Sequence, residues 1–349
     1  MSTYNRFGIP RAYIDLISSN LATGWSDLSD ILFKKISDNS DIVPESGSKS
    51  NMFDMKPSTF TKISNTDTGF YIQYNTGFST DSLAESNFIA ILNHNFADAN
   101  AIVKVQIDDD VNMSSPTTIT TTLSHDKIIN AEFNDTAGEI DPNNNGWTLI
   151  TWSTKTTDNQ YVRIIIEDDG GSGQAFSEDV VIGGILYGEY IDFPHTPELD
   201  LKTSIEYGGT NLQQSIGGNT YATTTHFGQP VWSHVTPWSL TTGNTSNYAF
   251  TERAGRINHS LKFNYLDDTD IFAPNTSSST TSQWYDSDSL HSSFYNKILG
   301  QHLPFLFSID KDSTSTGDYG LFRLANNGFS VSQVANRVYN LNLNLTETW

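Results

Sequence analysis

The sequence contains no cysteine. That excludes a disulfide framework, a thiolate zinc site, an iron–sulfur cluster and a cysteine nucleophile together. Positive charge is also scarce: 19 Lys and Arg stand against 40 Asp and Glu, for a net charge of -21. A surface that acidic repels phosphate backbones and anionic lipid, which sets nucleic acid and membrane aside as expected partners. Long hydrophobic runs are missing. Val180 to Tyr187 is interrupted by Gly183 and Gly184, far short of the roughly 18–20 residues of a membrane-crossing helix. Met1 to Asn20 shows no positive stretch followed by an apolar run, so the sequence is read as carrying no secretory signal. What is present is polar and aromatic. Charged residues make up only 17% of the chain, while 7 Trp, 15 Tyr and 20 Phe give 12% aromatics, too many for a disordered chain. At 349 residues the chain can bury a core without staples, in two or three domains.

The pattern along the chain predicts a mainly β protein. Residues 1–50 read as a helical or extended lead-in and linker: a short helix over Arg11 to Leu21, then a second one after Ser26 carrying Leu28, Ile31, Leu32 and Ile36. From about Asn51 the hydrophobic period becomes two. Phe70, Ile72 and Tyr74 alternate, Ser86 to Asn93 and Ala101 to Ile107 are apolar runs of strand length, and Trp147 to Trp152, Tyr161 to Glu167 and Val180 to Tyr187 follow. Turn-rich segments separate them, which predicts a jelly-roll β-sandwich over 51–192. Pro194 and Pro197 mark a boundary. Over 193–349 the reading is strands, one helix at 289–299 closed by Gly300, and strands again. The chain ends with Tyr339, Leu341, Leu343 and Leu345 alternating against Asn340, Asn342 and Asn344, a half-buried strand.

Several segments together resemble the minor and distal tail proteins of tailed bacteriophages: Asn93-His94-Asn95-Phe96, Tyr161 to Ile166 before an Asp/Gly loop, Ile182 to Gly188, Arg256 to Phe272, Leu299 to Phe305 and Arg337 to Trp349. The resemblance covers roughly residues 80–349. It implies a tail-tube-like β-sandwich, or belt, domain with one packed helix, attached to a jelly-roll unit. It also implies a structural role in a ring at the end of the tail tube, in a virion assembled in the host bacterial cytoplasm. Such proteins usually place the belt first. Here the belt-like unit is C-terminal, so either the order is swapped or residues 1–50 return to it and the sandwich is inserted between.

Candidate chemistry is thin. Asp141, Asn143 and Asn145 with Gly146 match the first half of a calcium loop, but the twelfth position is Trp152 instead of Glu. The same residues also read as an Asn/Gly hairpin loop. Asp108 to Asp110, Asp168 with Asp169, and Asp310, Asp312 and Asp318 could hold a hard cation, and equally solvate loops. The 8 His residues show no metal-binding spacing, and His94, His195 and His302 read as hydrogen-bonded structural groups. No Gly-x-Ser-x-Gly or phosphate loop appears. No residue is assigned as catalytic, as a metal ligand or as a cofactor contact, calcium being the one cofactor weighed.

Aromatics in segments read as loops, Trp25, Trp232, Trp238 and Trp284, are the remaining signal. Such rings stack on sugars or anchor interfaces. The expected packing or interface residues are Trp232, Trp238, Phe305, Phe307, Tyr339 and Trp349. Three functions are weighed. The first is a distal-tail or tail-tip ring component, partnered by its own copies and by other tail proteins. The second is a carbohydrate-binding module for host-surface glycan, carried by the jelly-roll unit, Asn143, Asn145 and the loop aromatics. The third is a cell-wall hydrolase, which no motif supports.

Overall fold

The computed structural model describes residues 7–76, 86–119, 125–134, 137–156, 160–171, 173–207, 210–224, 229–230, 232, 238, 253–273, 289–326 and 328–348. Trp284 and Trp349 lie outside them. The fold is mainly β, as its alternating segments predict. Two large antiparallel sheets organise it. The smaller, seven-stranded sheet runs in the order Ile31–Lys35, Phe70–Asn75, Tyr161–Asp168, Ala101–Asp108, Glu139–Pro142 and Ala131–Asn134, with Thr117–Thr118 beside Ala101–Asp108. The larger, eleven-stranded sheet runs Lys202–Glu206, Arg256–Asp267, Val338–Glu347, Tyr319–Leu324, Phe305–Ser308, Arg11–Asp15, Gly184–Asp192, Ser86–His94, Gly146–Thr156 and His125–Ile129, with Val331–Ala335 beside Val338–Glu347.

The two sheets face each other as a β-sandwich through one core. Ile72, Tyr74, Val103, Val105, Ile164 and Ile166 of the small sheet meet Ile89, Ile91, Ile150, Trp152, Ile185 and Tyr187 of the large one. The large sheet is buried on its other face as well. Phe88, Ala90, Leu92, Trp147, Leu149 and Leu186 point away from the sandwich into a separate core with Tyr13, Leu306, Tyr319 and Leu321. A strand buried on both faces has no polar side to show, which is why Ser86 to Asn93 reads as a continuous apolar run. A third core lies under the C-terminal strands, around Phe263, Phe294, Phe305, Phe307, Leu341, Leu343 and Leu345.

Residues 1–50 are woven into both sheets. The Arg11–Asp15 segment, expected as helix, is a strand. It pairs with Gly184–Asp192 on one side and with Phe305–Ser308 on the other. It carries Ala12 and Ile14 into the C-terminal core and Tyr13 into the opposite one. The helix begins only at Leu16 and runs to Thr23. Asp15 caps it, accepting from the Ile17 N–H at 3.3 Å and the Ser18 N–H at 2.9 Å, and Gly24 ends it at φ 75°. The second expected helix is a single 3₁₀ turn, Leu28–Asp30, followed by the strand Ile31–Lys35. Here Ile31 and Phe33 alternate inward and tertiary packing overrides the helical spacing of Leu28, Leu32 and Ile36.

The helix expected at 289–299 is present but wide. Leu290–Asn296 is a π-type turn capped by the Ser289 hydroxyl at 3.3 Å. The Gly300 N–H reaches back to the Tyr295 carbonyl at 3.2 Å, and Leu299 and Gly300 are both left-handed, at φ 54° and 64°. This turn packs Leu290, Phe294 and Ile298 onto the C-terminal sheet.

Candidate functional site

The C-terminal end of the large sheet is open. Lys202–Glu206 pairs with Arg256–Asp267 in the register Ser204↔Asn258, Ile205↔Ile257. Among the described residues no strand pairs its other side. Gly255 is required beside it, because a Cβ there would sit 2.5 Å from Ile205 Cγ2 and 2.9 Å from the Glu206 carbonyl. Edges of this kind are usually guarded by charge, proline or a bulge. Lys202 and Glu206 guard only its two ends.

Beyond that edge the chain forms a hairpin. Thr210–Gln214 pairs with Thr220–Thr224, with Leu212 opposite Ala222 and Gln213 opposite Tyr221. The turn is local: the Ser215 N–H donates to the Asn219 carbonyl at 2.8 Å and the Gly218 N–H to the Ser215 carbonyl at 2.9 Å. Gly218 supplies φ 86°. Leu212 sits on one face, Tyr221 on the other and Ile216 at the tip, all exposed, as are Ile205 and Tyr207 at the base. Among the described residues no third strand joins it, and a two-stranded hairpin by itself is marginal in water. Residues 207–224 contain no charged side chain, in a chain of net charge -21.

This arm was missed in the sequence. Its signal was the Ser215-Ile216-Gly217-Gly218-Asn219 turn between two polar, Thr-rich runs, a hairpin signature without hydrophobic alternation.

The sequence-predicted residues fall elsewhere. Trp232 and Trp238, expected as packing or interface residues in segments read as loops, are each only 5% exposed and pack inside the protein. They form an aromatic plug. Trp147 and Trp232 meet edge-on at 5.1 Å, Trp232 and Trp238 likewise at 5.1 Å, and the Trp147 indole N–H donates to the Trp232 carbonyl at 3.1 Å. Both rings join the core formed by Phe88, Leu92, Trp147, Leu149 and Tyr319. Phe305 and Phe307 are fully buried and pack on Phe294 and Phe322. Tyr339 is half-buried, edge-on to Phe272 at 5.7 Å. Trp25 is 69% exposed.

The partial calcium loop is tied up in its own structure. Asp141 lies in a strand opposite Glu132. Its carboxyl is raised above the ordinary value by burial and then by Asp169, Glu132 and Glu139. The Asn143 N–H donates to the Asn130 carbonyl at 3.0 Å. Asn145 makes a reciprocal pair with Asp98: its amide donates to the carboxylate at 2.6 Å and its carbonyl accepts from the Asp98 N–H at 3.2 Å. The other acids serve their own loops. Asp108 accepts from the N–H groups of Asp110 and Ser115, Asp168 from Asn100 and Gly170, and Asp310 from Asp312. Among the described residues no group of three or more His, Asp or Glu side chains is placed to hold a metal ion. His94 is buried between Thr148 at 3.0 Å and a stacked Phe96, and burial pushes its pKa down to about 3. His195 contacts the Thr196 and Asn264 carbonyls at 2.7 and 2.9 Å.

No protein-family model matches the chain, and no curated protein matches it. Among solved structures, chitosan-binding module 1 from a chitosanase/glucanase of Paenibacillus sp. IK-5 is similar at 17% identity, over 45% of this chain and 92% of the module, with a TM-score of 0.30. CBM32-1 of a family 31 glycoside hydrolase from Clostridium perfringens is similar at 11% identity, over 46% of this chain and 94% of its own length, with a TM-score of 0.29. The lectin domain of lectinolysin, complexed with Lewis B antigen, is similar at 8% identity over 46% of this chain and 91% of the domain, with a TM-score of 0.28. At such TM-scores these likenesses carry nothing about what this chain binds.

Proposed function

We propose that this protein is a structural subunit that assembles with copies of itself into a ring, as a distal-tail or tail-tip component of a bacteriophage virion. On this reading it is not an enzyme, uses no cofactor, joins other tail proteins, and assembles in the host bacterial cytoplasm. One observation carries the self-assembly: the uncharged hairpin arm that follows a sheet edge guarded by charge only at its two ends. Two copies of a chain with net charge -21 repel at long range. They approach at least cost through a surface that carries no charge, and the arm offers Leu212, Ile216 and Tyr221 together with backbone edges that no other described strand pairs, open to strand addition. A head-to-tail contact of this kind closes into a ring when its rotation closes. The tail setting rests on the resemblance of the segments named above.

The test is light scattering and negative-stain imaging of the full chain beside the double variant Leu212→Lys, Tyr221→Lys. Multi-copy particles with a rotation axis are expected for the parent chain, and monomers with an unchanged unfolding midpoint for the variant. A parent chain that stays monomeric at high concentration and never enters particles would overturn the reading. A second reading, glycan binding, is favoured by the exposed Trp25 ring.

A further inference from the structure

Between the Leu16–Thr23 helix, with Trp25 after it, and the wide turn at 295–300 lies a cleft of about 300 Å³. That is the low end of small-molecule sites. Leu16, Tyr295 and Leu299 give it an apolar floor, Trp25 stands in its wall, and Ser19, Asn20, Thr23 and Asn296 bring hydroxyls and amides. We infer that this cleft binds one neutral pyranose ring, with Trp25 as the platform; this rests on the glycan reading and gives it a site and a ligand class.

Charge selects the class first. Among the described residues that line the cleft, the one charged side chain, Lys297, forms an ion pair with Glu189, and both are largely buried. That lining therefore presents no net charge, which disfavours phosphate, carboxylate and ammonium ligands. Shape and polarity do the rest. A pyranose has one C–H face and an equatorial belt of hydroxyls. The C–H face suits an indole and an apolar floor, and the hydroxyls suit side-chain hydroxyls and amides. The polar groups are held in place. Asn20 donates to the Tyr74 hydroxyl at 2.9 Å, and the Thr23 hydroxyl donates to the Ser19 carbonyl at 2.9 Å. Fixing them beforehand lowers the ordering cost of binding. The wall opposite the helix exists because the turn is wide and ends in the left-handed pair Leu299–Gly300. Wide turns of this kind recur at functional sites. Of the residues expected to carry glycan binding, Trp25 lines this cleft, and Asn143 and Asn145 do not.

The experiment titrates the full chain with glucose, galactose, N-acetylglucosamine and their β-1,4-linked disaccharides. It follows tryptophan fluorescence and ligand-observed NMR, for the parent, Trp25→Ala and Trp25→Phe. The expected result is binding of at least one neutral sugar by the parent chain, weakened about tenfold or more in Trp25→Ala and largely kept in Trp25→Phe. Unchanged unfolding midpoints show that the exposed substitutions leave the fold intact. Sugar binding that ignores Trp25→Ala would overturn this site while leaving the glycan reading standing. No sugar binding up to 10-millimolar order would overturn both. If, instead, Trp25→Ala altered only the assembly state, the cleft would be a protein contact and the inference would fail.

Discussion

Asp15 offers a quantitative test of how the N-terminal strand is held. Its carboxylate accepts from Ile17 and Ser18 at the start of the helix and from the Tyr187 N–H, at 2.9 Å, in the neighbouring strand. It is buried, and burial outweighs those three hydrogen bonds, so its pKa rises from an ordinary 3.8 to about 6. A carboxyl whose folded pKa is raised favours the native state when protonated. Its contribution is fully present below about pH 3.8 and is lost as pH rises through about 6. Moving a pKa over that span is worth roughly 3 kcal/mol. Integrated between pH 5 and pH 8, wild-type stability falls by roughly 1.4 kcal/mol on this account alone.

Asp15→Ala removes the cap and strands three N–H groups, costing roughly 3–5 kcal/mol when Asp15 is protonated. Alanine does not titrate, so the gap between the two proteins must narrow as pH rises. Urea unfolding of both proteins at pH 5 and pH 8, at one protein concentration, measures it. Other titrating groups, such as Glu347, whose pKa burial pushes up to about 7, cancel in the difference. The substitution should cost roughly 1.4 kcal/mol less at pH 8 than at pH 5. A cost that is equal at both pH values, or larger at pH 8, would refute the argument that burial dominates at this site.

Three further outcomes are expected. Trp232→Ala opens the aromatic plug over Trp147 and should cost about 3–5 kcal/mol in chemical unfolding, whereas a displayed loop tryptophan would cost well under 1 kcal/mol. Burial lowers the His259 pKa to about 4, so the unfolded chain takes the proton first and stability drains away as pH falls from about 6.5 toward 4. His259→Gln, which does not titrate, should therefore lose its disadvantage by up to about 3 kcal/mol between pH 7 and pH 4, and a constant difference would count against it. Millimolar-order calcium or chelator should leave the unfolding temperature unchanged, because Asn145 is already spent on Asp98; a rise with calcium would reinstate the 141–146 loop as a cation site.

What could be read from the sequence follows burial geometry. The last strand was legible because Leu341, Leu343 and Leu345 face a core while Asn340, Asn342 and Asn344 do not. Arg11–Asp15 was not, because Ala12, Tyr13 and Ile14 are buried on alternate faces in two cores and leave no polar phase. The helix start was hidden for the same reason: Asp15 reads as a solvated charge in mid-helix until its three backbone partners are seen. Trp25 and Trp232 sit in similarly polar stretches, yet one is exposed and the other closes a core. Only contacts distant in sequence, Trp232 with Trp147 of the large sheet, separate them. The hairpin arm escaped notice because it buries nothing, so no hydrophobic period marks it. The candidate cleft joins residues 16–25 to 295–300, a proximity that local pattern cannot supply.

The position of the N-terminal strand bears on how such a subunit carries load. Arg11–Asp15 is the link by which the sandwich half of the large sheet, through Gly184–Asp192, is hydrogen-bonded to the C-terminal half, through Phe305–Ser308. Its start is clamped. Arg11 Nη2 and Nη1 reach Asp192 at 3.0 Å and Asp126 at 2.9 Å, and the guanidinium lies 3.7 Å over the Tyr190 ring. Its end is fitted closely to the neighbour, since a Cβ on Gly188 would meet the Ile14 carbonyl at 2.2 Å. A pull on Lys202–Glu206 runs across a ladder of hydrogen-bonded strands into the sandwich. The two halves of the large sheet therefore cannot swing apart without shearing backbone hydrogen bonds. That rigidity would suit the proposed ring subunit, whose two halves would have to hold a fixed angle. The link also pairs residues 11–13 with 306–308, and such distant contacts form slowly. On the proposed self-assembly through the uncharged arm, the contact would gain its correct geometry only after this strand has docked.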